Sequence, residues 1–157
     1  YKTGEMLPEK LFKAIKASKN FQAGYASLRQ VSFSLMDMAW HNTTADKIPK
    51  TDEVEDLVMK DLRVMPKVPG TNFSVSFSHI FAGGYSAGYY SYKWAEVLDA
   101  DAYSLFEEKG IYNPEVANKF RSEILSRGGT EDPAVLFKNF RGRNPDAQAL
   151  LKRSGLI

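Results

Sequence analysis

The stretch F-Q-A-G-Y-A-S-L-R-Q-V-S-F-S-L-M-D-M-A-W-H, Phe21 to His41, decides the fold class. Phe21, Tyr25, Leu28, Val31, Leu35 and Met38 step by three or four residues, the spacing of one helix face. Phe33, Met36 and Trp40 add a second apolar side, so the predicted helix is apolar nearly all round. Such a helix belongs at the centre of a helical domain rather than on its surface. Asn20 is placed to cap it. Upstream, Pro8 suits the first position of a shorter helix that carries Leu11, Phe12 and Ile15 to about Ser18.

Working downstream, the acidic run Asp52, Glu53, Glu55 and Asp56 complements the dipole of another helix start. Val54, Leu57, Val58 and Leu62 give that helix its expected buried stripe, and Pro66, Pro69 and Gly70 end it. From Thr71 to Phe81 the pattern changes. Phe73, Val75, Phe77, His79 and Phe81 alternate with polar residues, the period of a half-buried strand. No second strand candidate exists to pair with it, so the stretch reads as an extended or irregular segment, with short helical turns as the alternative. A long helix is expected from Tyr85 or Ser86 to Glu108, stopped by Gly110. Asn113-Pro114, Asp132-Pro133 and Asn144-Pro145 each pair a capping side chain with a first-turn proline. Gly128, Gly142 and Gly155 stand where the corresponding helices should close. The expectation is one all-α domain over residues 1–157, with six or seven helices and one extended or irregular segment.

Composition narrows the function. The chain has 157 residues, of which 43% are hydrophobic and 25% charged, which excludes a disordered chain. A formal net charge of +2 gives no dominating cationic field, so nucleic acid is not an expected partner. The basic residues Lys138, Arg141, Arg143, Lys152 and Arg153 read as complements to helix C-termini, with Phe137 and Phe140 on a buried face. Cysteine is absent, which removes disulfides, thiol nucleophiles and Cys-ligated metals, and fits a reducing, cytoplasmic setting. The two histidines, His41 and His79, form no H-x-x-x-H spacing from which a catalytic zinc site could start. The uncharged run from Val68 to Tyr92 is too rich in serine and glycine to span a bilayer, so no membrane partner is expected.

The stretch H-I-F-A-G-G-Y-S-A-G-Y-Y-S-Y, His79 to Tyr92, holds the candidate chemistry. On a continuous helix Tyr85, Tyr89 and Tyr92 would fall within about 60° of one another. Three phenols on one stripe suit a cleft wall, where they can donate to a carbonyl oxygen or stack on a peptide. Packing at a helix interface is the alternative reading of the same stripe. Gly83 and Gly84 allow positive φ or close approach to a ligand, without the spacing of a nucleotide-binding fingerprint. Glu96 could accept from Tyr92 one turn away, whereas Asp99 and Asp101 do not face each other as a carboxylate pair.

The segment F-S-H-I-F-A-G-G-Y-S-A-G-Y-Y-S-Y-K-W-A-E-V-L, Phe77 to Leu98, closely resembles the region downstream of the zinc site in thimet-oligopeptidase-like zinc metallopeptidases, above all in their bacterial peptidyl-dipeptidase and oligopeptidase A branch. The likeness extends to D-M-A-W-H at Asp37 to His41 and to F-R-G-R-N-P-D-A-Q-A-L-L-K-R-S-G-L at Phe140 to Leu156. It implies a mainly helical C-terminal portion of a larger peptidase. In that family an H-E-x-x-H helix and a downstream glutamate hold zinc, and the glutamate of the motif activates water. Those residues would lie N-terminal to Tyr1, so zinc is implied for the full-length enzyme and none for this chain, which is expected to be inactive alone. Carried over by motif, His79 and Tyr92 look like residues that flank the zinc and stabilise the tetrahedral intermediate. Tyr85 and Tyr89 look like substrate contacts, and Gly83 and Gly84 like a flexible glycine loop.

The resemblance therefore implies short peptides as substrates and the missing N-terminal part of the polypeptide as a partner. Cleft surface left uncovered, around the tyrosines and Phe73 to Phe81, would favour self-association. The alternative is a non-catalytic helical module that binds a peptide or a partner protein.

Overall fold

The structure is a computed structural model and describes residues 2–157. All regular structure among them is helical. The α-helices are α1 Glu9–Ser18, α2 Ala23–His41, α3 Thr51–Met59, α4 Ser78–Phe81, α5 Ser91–Lys109, α6 Pro114–Phe120, α7 Pro133–Arg141 and α8 Gln148–Arg153. Apart from α4, which is a single turn, these are the six or seven helices that the periodicity predicts. They fall into two compact units, one reaching to Tyr90 and including Ser154–Leu156, the other spanning Ser91–Arg153 with Ile157.

In the first unit, α2 buries Ser32, Phe33, Met36 and Asp37. The side with Phe33, Met36 and Trp40 is thus its covered face. The stripe of Tyr25, Val31, Leu35 and Met38 is exposed, which corrects the expectation of a helix enclosed on all sides. Nor does Asn20 cap α2. Gln22 precedes the helix in the left-handed region at φ 55°, and Asn20 instead lies against Gly155, where a Cβ would come within 2.4 Å of its Nδ2. Leu156 likewise approaches Gly24. The core joins Phe33, Met36, Val54, Phe77, Ile80 and Tyr89. Phe33 and Phe73 stack with ring centroids 4.6 Å apart.

The segment from Thr71 to Phe81 is not extended. Ser74–Ser76 forms a 3-10 turn and Ser78–Phe81 a turn of α-helix. Phe73, Phe77 and Ile80 point inward at intervals of four and three, while Val75 and Phe81 are exposed. The alternation of apolar and polar residues therefore does not describe the burial. Of the phenylalanines that the sequence offers as uncovered surface, Phe73 and Phe77 belong to the core or pack against it, and only Phe81 is exposed.

α3 buries Val54 and Glu55 and leaves Leu57 exposed. The Glu55 carboxylate accepts the Ser74 N–H at 2.6 Å, so a residue that reads as a dipole charge is in fact a tether. The Trp40 indole N–H reaches the Ser74 hydroxyl at 3.0 Å.

In the second unit, Ala102, Val116, Phe137 and Phe140 form one apolar cluster, and Val97, Ala100 and Leu150 another. Asn113 and Asp132 cap α6 and α7 as predicted, each just before a proline. Asn144-Pro145 does not open α8. That helix starts later, where Asp146 accepts from the Gln148 N–H at 2.9 Å. Gly110, Gly128 and Gly142 take positive φ at helix ends. α6 widens into a π turn at Arg121–Leu125, closed by the Ser126 N–H donating to the Arg121 carbonyl at 2.9 Å. Asp101 is fully buried and gathers Arg141 Nε at 3.0 Å, both Arg143 guanidinium nitrogens, and the Asp146 N–H at 2.8 Å. Burial raises its carboxyl pKa, but the two arginines and the Asp146 N–H outweigh that, so the group is held below its ordinary value.

Candidate functional site

The long helix that the sequence predicts from Tyr85 begins only at Ser91. Tyr85 and Tyr89 therefore lie on a tight turn before α5, and only Tyr92 belongs to the helix. The continuous stripe of three phenols is corrected accordingly. The cause lies in the backbone: Gly84 sits at φ 79° and Ala87 at φ 54°, neither compatible with a right-handed helix.

The turn is nonetheless ordered by specific bonds. The Gly83 N–H donates to the Ser78 carbonyl at 3.0 Å, and the Tyr85 N–H to the His79 carbonyl at 3.2 Å. The Ser86 hydroxyl donates to the Ile80 carbonyl at 2.6 Å. Gly83 is needed for close approach, since a Cβ there would meet the His79 carbonyl oxygen at 2.8 Å. Gly84 is needed for its positive φ.

This folding-back assembles His79, Tyr85 and Tyr89 into a cluster. Ring centroids lie 6.2 Å apart for His79–Tyr85, 6.1 Å for His79–Tyr89 and 6.5 Å for Tyr85–Tyr89. His79 is exposed and Tyr85 half-buried. Tyr89 is only 8% exposed and packs edge-on against Phe77 at 5.0 Å and Phe33 at 5.9 Å. Burial pushes the Tyr89 phenol above its ordinary pKa, opposed by the positive charge of Arg29. The phenol is thus neutral at physiological pH and able to donate a hydrogen bond. Tyr92, in the first turn of α5, is 41% exposed.

Sequence reasoning missed the support of this cluster. Asp37 Oδ1 accepts the Ala87 N–H at 2.9 Å, and Oδ2 accepts the Tyr89 N–H at 2.8 Å. His41 Nδ1 lies 2.8 Å from Asp37 Oδ1, and its ring meets Phe81 at 5.7 Å. The only signal in the sequence is an acidic residue in an otherwise apolar helix, one turn before a histidine.

A sequence profile of peptidase family M3 matches residues 1–156. The chain belongs to peptidase family M3. It is 52% identical over 159 residues to an oligopeptidase A of Haemophilus influenzae, covering 100% of this chain and 23% of that protein. It is 46% identical over 162 residues to a protein of Arabidopsis thaliana named probable cytosolic oligopeptidase A, covering 100% of the chain and 23% of the relative. A dipeptidyl carboxypeptidase of Escherichia coli is 34% identical over 160 residues, covering 99% and 23%. The chain thus spans about a quarter of the length of these M3 relatives. Among its described residues no three His, Asp or Glu side chains are grouped so as to hold a metal ion, and no helix is long and apolar enough to cross a membrane.

Proposed function

We propose that this M3 chain forms the C-terminal part of a zinc-dependent oligopeptidase or peptidyl-dipeptidase and supplies one wall of its peptide-binding cleft. The observation that carries this reading is the clustering of His79, Tyr85 and Tyr89 on a glycine turn, in a family whose relatives are named as peptidases. In it, Tyr85 presents its half-open ring to a short peptide and Tyr89 backs that ring from the core. Gly84, with open space where a Cβ would stand, leaves room for a substrate backbone, and Gly83 seats the loop against His79. His79 is assigned a role in stabilising developing negative charge, as is Tyr92 by the family resemblance, the kind of preorganised stabilisation that contributes a few kcal/mol to lowering a barrier.

A catalytic zinc takes three protein ligands, and no such group stands among the described residues. In this reading the zinc is held by the remainder of the polypeptide. The chain by itself would be inactive, and the complete enzyme would work in the cytoplasm.

The test is cleavage of a fluorogenic short peptide by the complete polypeptide. Turnover that a chelator abolishes and zinc restores is expected, with Tyr92→Phe lowering kcat by about a hundredfold. Peptide binding without turnover by the complete polypeptide would favour a binding module instead.

A further inference from the structure

We infer that Asp37 is a positioning residue: its carboxylate clamps the Tyr85–Tyr89 turn from below, and His41 fixes the orientation of that carboxylate. The inference rests on the peptidase reading above and extends it to residues that do not face the cleft.

Asp37 lies one turn before the C-terminal end of α2 and is fully buried. A carboxylate in such a place is tolerated only when its oxygens are saturated with donors. Here the donors are the Ala87 N–H, the Tyr89 N–H and His41 Nδ1, all between 2.8 and 2.9 Å. His41 Nδ1 also lies 2.9 Å from the Asp37 carbonyl oxygen, which can only accept, so the ring carries its proton on Nδ1 and shares it between that oxygen and Oδ1. His41 sits one helical turn beyond Asp37, where i and i+4 side chains meet.

The turn needs such a clamp. Ala87 holds φ at 54° without being glycine, a conformation that surrounding contacts must enforce. The bonds from Ser86 and Tyr85 to the Ile80 and His79 carbonyls secure one end of the turn. Asp37 secures the other, on both sides of Gly88. It acts on the tyrosines through their backbone. Asparagine in its place would have one acceptor oxygen where the carboxylate has two, and its amide NH2 would face a donor.

The experiment uses the complete polypeptide, with Asp37→Asn and His41→Phe, peptide kinetics and amide hydrogen exchange. Because Tyr85 is assigned to substrate contact with Tyr89 behind it, D37N should raise KM at least tenfold with kcat within threefold. The Ala87 and Tyr89 amides, slow to exchange in the wild type, should exchange at least a hundredfold faster, while amides around Asp101 stay unchanged. H41F keeps a ring on Phe81 and should raise KM by a smaller factor. An unchanged KM in a folded D37N, or a fall in kcat alone, overturns the inference, and an unchanged KM in H41F removes His41 from it. If D37N does not fold, exchange of the wild-type Ala87 and Tyr89 amides at the rate of an unstructured peptide overturns it equally. A wild type that cleaves no peptide while those amides remain protected, and lose protection in D37N, would sink the peptidase reading and leave the clamp standing.

Discussion

Glu55 Oε1 holds the backbone N–H of Ser74 at 2.6 Å across 19 residues of chain. Asp37 and Asp101 do the same for Tyr89 and Asp146. Each of these buried carboxylates projects from a helix and fastens a remote loop by its backbone, which fixes the loop whatever its side chains do.

Replacing Glu55 separates the bond from the charge. Glu55→Leu leaves the buried Ser74 N–H without its acceptor and should cost about 2 kcal/mol. Glu55→Gln retains an acceptor oxygen and should cost about 1 kcal/mol or less. Urea denaturation of the chain, followed by near-ultraviolet circular dichroism, distinguishes the two. Equal losses would show that Ser74 is held by other means.

Asp101→Asn should destabilise the second unit by about 3 kcal/mol, because Arg141 and Arg143 lose the charge they surround. The pH dependence has a definite sign. The folded-state pKa is depressed, so the contribution is present above the ordinary carboxylate range and is lost as pH falls through the folded value. Acid unfolding of the variant should therefore be flatter than that of the wild type below about pH 4. Parallel acid limbs in the two proteins would contradict this.

Tyr89 predicts the opposite limb. Its phenol pKa is raised by burial, so that contribution is intact below the ordinary tyrosine value and is lost as pH climbs through the folded one. Tyr89→Phe should remove part of the loss of stability above about pH 10. Thermal melts between neutral and strongly alkaline pH would show it, and an alkaline limb of unchanged steepness in Y89F would refute it.

Gly83→Ala and Gly84→Ala should fail for different reasons. The first drives a Cβ into the His79 backbone and should cost about 1–3 kcal/mol by overpacking. The second forces alanine to φ 79° with open space around it and should cost about 1–2 kcal/mol. Only G83A should move the His79 ring, which the chemical shifts of the imidazole protons report. Unmoved imidazole shifts in a folded G83A would show that the contact is not binding.

The helices of the second unit were legible because their ends are chemical: Asn113, Asp132, Gly128 and Gly142 act through short-range geometry that residue type alone dictates. The helix start at Tyr85 was misread because nothing in the residue type of Ala87 announces a positive φ. Its N–H is bonded by the remote carboxylate of Asp37, invisible to any local pattern. The turn at Ser74–Ser76 was hidden by accident, since serines spaced by two imitate a strand while Phe73, Phe77 and Ile80 obey a helical interval. In the candidate site, the residues bearing rings were readable. The Asp37 carboxylate bonded to their turn was not, because the Ala87 and Tyr89 groups it holds there are backbone N–H and backbone groups have no letter in the sequence.

Asn20 and Gly24, between α1 and the early turns of α2, receive Gly155 and Leu156 from the far end of the chain. Substituting those few residues would therefore loosen a helix junction more than a hundred positions away, a lesion that mapping by primary sequence would assign to the wrong region of the protein.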